Sequence, residues 1–207
     1  MGSGRPREVV LIGTGGFAIE MIDLLPDTGV RVRGVVGPRP ETALSVPWLG
    51  EDEVLAEVAR GAECLVVLGA ASLRRRLTGW VQSLGLELGR MIHPRAWVAP
   101  SVRIGAGAMV YPHATVHAGA VLGAAALINS NASVGHETVV GDFANVGPGA
   151  AIGGKVIIGD EALIGIGASV RDCVRIASGS VVGAGAAVVS DLDHPEIYVG
   201  VPARRRG

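Results

Sequence analysis

The sequence predicts two parts: a small α/β unit over residues 1–91, and over residues 92–207 an all-β prism of the parallel β-helix kind. Two observations carry that reading. From Ile92 to Val188 every sixth residue is aliphatic without a slip, and two residues before these positions, from Val102 on, stand small or β-branched residues, mostly alanine. Before Ile92 the pattern differs, with short continuous apolar runs alternating with segments whose apolar residues sit three or four apart.

A period of six fits neither the 3.6 of a helix nor the alternation of an ordinary strand, and it is the signature of a hexapeptide repeat. Each repeat supplies one short strand and a corner. Three repeats close a triangular coil of about eighteen residues, and coils stack at roughly 4.8 Å, so the aliphatic positions form ladders inside the prism. The residue after the aliphatic one is often glycine, as at Gly105, Gly123, Gly135 and Gly153, which is expected where the chain turns tightly at positive φ. A merely Gly/Ala-rich segment would not hold an aliphatic phase over seventeen successive repeats.

The first part reads in order as strand, turn and helix. Val9 to Ile12 is an apolar run ending in Gly13-Thr14-Gly15-Gly16, and Phe17, Met21, Ile22, Leu24 and Leu25 follow at helical spacing, with Pro26 expected to close the helix. Val30 to Val36 reads as a second strand, Asp52 to Arg60 as a helix, and Cys64 to Leu68 as a third strand. Ser72 is expected to cap a last helix whose apolar positions are Leu73, Leu77, Trp80, Val81 and Leu84. The result is a Rossmann-like βαβαβα unit with a parallel sheet. Gly13-Thr14-Gly15-Gly16-Phe17-Ala18 matches a loose G-x-G-x-x-G/A turn, whose bare amides at a helix start can face phosphates. The acidic residue that would hold a dinucleotide ribose is missing between Arg33 and Gly37, so a mononucleotide-linked ligand suits the turn better than NAD. Glycines that only permit close packing are the plain alternative. Past Ser190 the prolines and the Arg204-Arg205-Arg206 run end the coil pattern, and the tail is expected to lie across an outer face or a neighbouring subunit.

Composition narrows the function. With 49% hydrophobic and 18% charged residues the chain is not disordered, and a net charge of −1 offers no basic field for nucleic acid. Cys64 and Cys173 are too few and too far apart for a disulfide framework or a cysteine metal site, and a reducing cytoplasm is the simplest setting. No run of eighteen apolar residues exists, and Met1 to Glu8 with the four apolar residues after it is too short for a signal peptide.

Because the prism interior is aliphatic, chemistry has to sit on corners or outer faces. The polar residues that interrupt the glycine habit are His113, His117, Asn129, Asn131, His136, Glu137 and Asn145. His113 and His117 read as solvated surface residues; with His136 they form the only candidate zinc set, at spacings that do not put the first two on equivalent positions of one ladder. His136 stands out because Glu137 adjoins it, and a neighbouring carboxylate orients an imidazole and stabilises the cation that forms when it takes a proton.

Asn129, the run from Ser133 to Phe143, the Gly153 to Gly159 stretch and the closing Gly200-Val201-Pro202-Ala203-Arg204 resemble the bacterial sugar O-/N-acyltransferases of the left-handed β-helix group. Within it the resemblance is nearest to acetyltransferases acting on nucleotide-linked 4-amino sugars and to sialic acid O-acetyltransferase-like proteins, and it covers essentially the whole chain. It implies an acetyl-CoA-dependent N-acetyltransferase, cytoplasmic and homotrimeric, with no metal. By position, His136 matches the general base and Glu137 its acidic neighbour. Asn129 matches a polar residue facing the acceptor sugar, and Gly154 an amide that holds the thioester oxygen. Asn145 falls where relatives often have a histidine near the thioester, while Ile166 and Ala184 match positions lining the pantetheine channel. Gly13, Gly15, Gly16, Phe17 and Gly69 match the nucleotide-sugar pocket. Two departures stand out: Gly37-Pro38 replaces an acidic pair, and Phe17 replaces a histidine in the glycine turn. O-acetylation of a sugar or sialic acid, a metal-dependent hydratase of the carbonic anhydrase kind, and a scaffold that only binds a nucleotide sugar are the alternatives.

Overall fold

The computed structural model describes residues 7–206, so most of the Met1 to Glu8 stretch and the last residue of the tail lie outside the described residues. The chain divides into two compact units, the first ending at His93 and the second beginning at Pro94.

In the first unit, strands β1 (Glu8–Ile12), β2 (Arg31–Val36), β3 (Trp48–Gly50) and β4 (Glu63–Val66) form one sheet in the order β3-β2-β1-β4, with every pair parallel. Helices α1 (Gly16–Leu24), α2 (Leu55–Val58) and α3 (Ala71–Ser83) accompany it. Strands β1 and β4 are buried almost throughout, as a sheet covered on both faces requires. Several local expectations are corrected. The α-helix ends at Leu24, ahead of Pro26 as expected, but a 3-10 turn over Leu25–Thr28 follows it, and Gly29 ends that turn at φ 74°. Ser72 lies inside the first turn of α3, whose N-cap is Ala70 with no side-chain bond. The helix read over Asp52 to Arg60 is a 3-10 turn at Asp52–Val54 followed by the single α-turn of α2. Strand β3, three residues long, carries too little periodicity to be read in advance. The buried stripe of α3 is Arg74, Thr78 and Val81, while Leu84 is 39% exposed.

The second unit is the predicted prism, and its parallel strands fit the left-handed β-helix. Each repeat contributes a two-residue strand that pairs in parallel with the strand eighteen residues on, as Val121↔Val139, Val139↔Ile157 and Ile157↔Arg175 do. One sheet runs from Trp97–Val98 to Ala187–Val188, a second from Arg103–Ile104 to Arg175–Ile176, and a third from Met109–Val110 through Asn145–Val146 to the tail. The aliphatic residue of every rung from Val110 to Val188 is buried, as are the small residues from Ala108 to Ala186. Ile92, read as the first ladder position, is 40% exposed. The tail does not lie across an outer face: Ile197–Val199 pairs in parallel with the Val181–Val182 rung, and Arg204–Arg205 folds back on it antiparallel.

The corner glycines do a different job from the one expected. Gly123 and Gly141 are not at positive φ; a Cβ there would lie 2.6 Å from the backbone nitrogens of Asp142 and Asp160, so glycine lets successive coils approach. The left-handed conformation falls two residues later, where Glu137, Lys155 and Cys173 among others sit near φ +60°. That costs of order 1 kcal/mol for a residue with a Cβ, and a backbone bond to the coil below offsets it: Glu137 N–H donates to Ala118 O at 2.9 Å and Lys155 N–H to His136 O at 2.8 Å. No helix among the described residues is long and apolar enough to cross a membrane.

Candidate active site

His136 is the second residue after the buried Val134, and residues at that phase turn outward at the corner that follows the strand. Eighteen-residue spacing stacks Ala118, His136, Gly154 and Asp172 in one column, with Gly119, Glu137, Lys155 and Cys173 beside it. The imidazole Nδ1 lies 3.1 Å from Glu137 Oε2, and the two side chains are 60% and 59% exposed on the single chain. An ionised carboxylate only accepts hydrogen bonds, so Nδ1 carries the proton in this contact and Nε2 keeps its lone pair. Lys155 Nζ stands 3.8 Å from the same carboxylate oxygen. Nε2 faces Gly154, where a Cβ would come within 2.5 Å of it. Glycine at 154 therefore makes room for the ring. The Gly154 N–H donates to Asp172 Oδ1 at 2.6 Å.

Thr138 stacks at eighteen-residue spacing with Val102, Ala120, Val156 and Val174, and it is the one polar residue of that inner column. Its buried hydroxyl donates to Gly153 O at 2.8 Å and accepts the Val156 N–H at 3.2 Å. The turn that carries Gly154 and Lys155 is thereby pinned from the coil below. A hydroxyl among valines and an alanine is the one signal of it in the sequence.

The other predicted residues of this unit sit elsewhere on the prism. Asn129 is 8% exposed, with its Oδ1 accepting the Ser130 N–H at 2.7 Å, and it directly follows the Leu127–Ile128 strand of the third sheet, on whose Leu127 Asn145 stacks one coil on. Asn145 Oδ1 is buried with no hydrogen-bond partner. Ile166, 63% exposed, and Ala184 share the corner after that sheet. Within one chain, then, His136, Glu137 and Gly154 meet at one corner, whereas Asn129, Asn145, Ile166 and Ala184 gather on the preceding face and corner. His117 packs edge-on against Trp97 with centroids 5.3 Å apart. Among the described residues no three His, Cys, Asp or Glu side chains gather as metal ligands.

In the first unit, Gly13, Gly15, Gly16, Phe17 and Gly69 do come together. Gly13 ends β1 at φ 123°, with space for a Cβ closed by Val67 O at 3.1 Å, and Gly15 and Gly16 at the start of α1 face open space. A Cβ on Gly69 would lie 2.8 Å from the Phe17 ring. Arg74, fully buried, donates to Leu68 O at 2.7 Å and Gly69 O at 3.0 Å and so fixes that loop. The cluster lies beyond the ends of β1 and β4, where the strand order switches direction and where open parallel sheets bind ligands. The Gly37-Pro38 turn is tied down by Trp48 Nε1 donating to Gly37 O at 3.0 Å. A separate groove of about 610 Å³ is lined by Asp52, Arg76, Trp80 and Leu84 among others, and holds none of the predicted residues.

No protein-family model matches the chain, and no curated protein sequence matches it. Solved structures do. The chain is similar to a perosamine N-acetyltransferase from Caulobacter crescentus, solved as a histidine-to-asparagine mutant in complex with CoA and GDP-perosamine, at 36% identity and TM-score 0.93 over 97% of each chain. It is similar to the acetyltransferase domain of PglB from Neisseria gonorrhoeae, solved with acetyl coenzyme A, at 31% identity and TM-score 0.93 over 97% of this chain and 100% of that one. WeeI from Acinetobacter baumannii, at 22% identity and TM-score 0.88 over 97% of this chain and 100% of that one, shares the fold.

Proposed function

Because the chain belongs to the hexapeptide-repeat sugar acyltransferases, we propose that it transfers an acetyl group from acetyl-CoA to the amine of a nucleotide-linked amino sugar, with His136 as general base. The observation that carries the reading is the His136 pair: Nδ1 held by Glu137, Nε2 free and turned to the amide-bearing turn at Gly154. The amine nitrogen attacks the thioester carbonyl carbon, Nε2 takes the proton from that nitrogen, and the carbonyl electron pair moves onto oxygen. Collapse re-forms the carbonyl and breaks the C–S bond, and the proton held on His136 goes to the departing thiolate. General base catalysis of this kind contributes about 10² to 10⁴ in rate, and an amide at the oxyanion roughly 3 kcal/mol. Glu137 orients the ring and stabilises its cation, as the acidic partner of a histidine base does.

The first unit is read as a Rossmann-like nucleotide-sugar domain, supported by its 3-2-1-4 parallel order and by the glycine turn at the switch point. The assembly is read as a homotrimer with a site at each interface. Support comes from the separation of His136, Glu137 and Gly154 from Asn129, Asn145, Ile166 and Ala184 on a single prism, since a neighbouring copy brings the second group opposite the first and encloses the long pantetheine arm. A cytoplasmic setting suits two free cysteines, of which burial pushes the Cys64 thiol up to about 11.

A panel of nucleotide-linked amino sugars and their hydroxyl counterparts, each incubated with acetyl-CoA and assayed for released thiol, tests the reading. Turnover confined to amines is the expected result. Turnover confined to hydroxyls would make the enzyme an O-acetyltransferase, and release with neither would remove the proposal.

A further inference from the structure

We infer that the Asp172 carboxylate is a built-in competitor for the thioester oxygen at the Gly154 amide, and so a positioning residue that sets the affinity for acetyl-CoA; this rests on the reading of Gly154 as the oxyanion donor. Aspartates cap corner amides one coil below at three places in the prism. Asp142 Oδ1 accepts the Ala124 N–H at 2.7 Å, Asp160 Oδ1 the Asp142 N–H at 2.9 Å, and Asp172 Oδ1 the Gly154 N–H at 2.6 Å. The first two caps stack on a corner that holds none of the site residues. The third lands on the amide beside which the His136 ring sits, at a residue whose missing side chain is what leaves that ring its space.

A backbone N–H has one proton to give. A carboxylate takes it in a charge-assisted bond, roughly twice as strong as the bond a neutral carbonyl makes. The thioester oxygen of the incoming donor is neutral, so it enters only by displacing the carboxylate. Once the oxygen turns anionic, a carboxylate left in place would repel it as well. Asp172 is exposed and free to swing aside, unlike Gly154, whose backbone is fixed by the Cys173 N–H bond to its carbonyl at 2.9 Å. Arrival of the donor and opening of the amide are therefore one event, and the free enzyme holds the amide closed.

The test measures acetyl-CoA binding by calorimetry, without acceptor, and steady-state kinetics for the full chain and for Asp172→Asn, Asp172→Ser and Asp142→Asn. A neutral cap competes less, so both Asp172 variants are expected to bind acetyl-CoA roughly three- to tenfold more tightly, with a matching fall in its KM and no change in the acceptor KM. Asp142→Asn neutralises the same kind of cap away from the site and is expected to change neither. Either variant at 172 suffices if the other fails to fold. Unchanged or weaker acetyl-CoA binding in a folded Asp172 variant overturns the inference, since an ordinary structural cap would alter melting temperature alone. If that happens while His136→Ala still abolishes turnover, only this inference falls; if His136→Ala retains full activity, the reading of the site falls with it.

Discussion

At position 154 a single hydrogen atom in place of a side chain decides where the neighbouring imidazole can lie. A Cβ there would stand 2.5 Å from His136 Nε2 and 2.8 Å from Cε1, and the far side of the ring is tethered to Glu137. Gly154→Ala is therefore expected to push the proposed base off line and lower kcat roughly a hundredfold, the usual consequence of about 1 Å of misplacement, while thermal melting stays within a few degrees because the added methyl meets the exposed His136 ring, which can move into solvent. Thiol-release kinetics beside a melting curve check both halves. His136 and Glu137 stand out in the sequence because an imidazole and a carboxylate adjoin at a corner where glycine is usual. Asp172 was not, because an aspartate at an exposed corner reads as a solvated charge, and only the 2.6 Å bond to Gly154 gives it a role.

At the scale of the coil, what matters is how one corner is locked to the next. Thr138 donates to Gly153 O and accepts from Val156 N–H across adjacent coils. Thr138→Val keeps the shape and leaves both backbone groups unpaired, which costs about 1–3 kcal/mol; denaturant unfolding should register the loss, and Thr138→Ser should restore most of it. The six-residue ladder and its eighteen-residue coil were readable because burial repeats with the chain's own period. The cause of the corner glycines was misread, since sequence alone cannot tell a residue that needs positive φ from one over which the next coil passes too closely for a Cβ. The helix α3 shows a related limit: of the expected Leu73, Leu77, Trp80, Val81 and Leu84, Val81 is buried and Leu77 and Trp80 pack against the core, but Arg74 is buried beside them to hold the Leu68 and Gly69 carbonyls. The three-residue strand β3 was missed because so short a segment has no period to detect.

For the whole molecule, the separation of the base corner from the face bearing Asn129, Asn145, Ile166 and Ala184 sets the expectation that the working enzyme is an assembly. Sedimentation should give three times the mass of one chain. Subunits carrying His136→Ala mixed with subunits carrying Ala184→Trp should regain acetyl transfer that neither assembly has alone, because one interface of the mixed species joins an intact base to an intact donor wall. Absence of complementation in a mixed trimer would put the whole site on one chain. A site shared in that way would leave no mark in the repeat pattern, which encodes how coils stack along one prism and carries no record of what stands beside it.

In the proposed reaction the imidazole at 136 moves the proton as the acyl group changes hands. The direct measurement is single-turnover acetyl transfer by His136→Ala, with saturating acetyl-CoA and an amino-sugar nucleotide that the unaltered enzyme accepts. The expected rate is lower by about 10² to 10⁴ with acetyl-CoA still bound; a rate equal to that of the unaltered enzyme would mean that another group takes the proton.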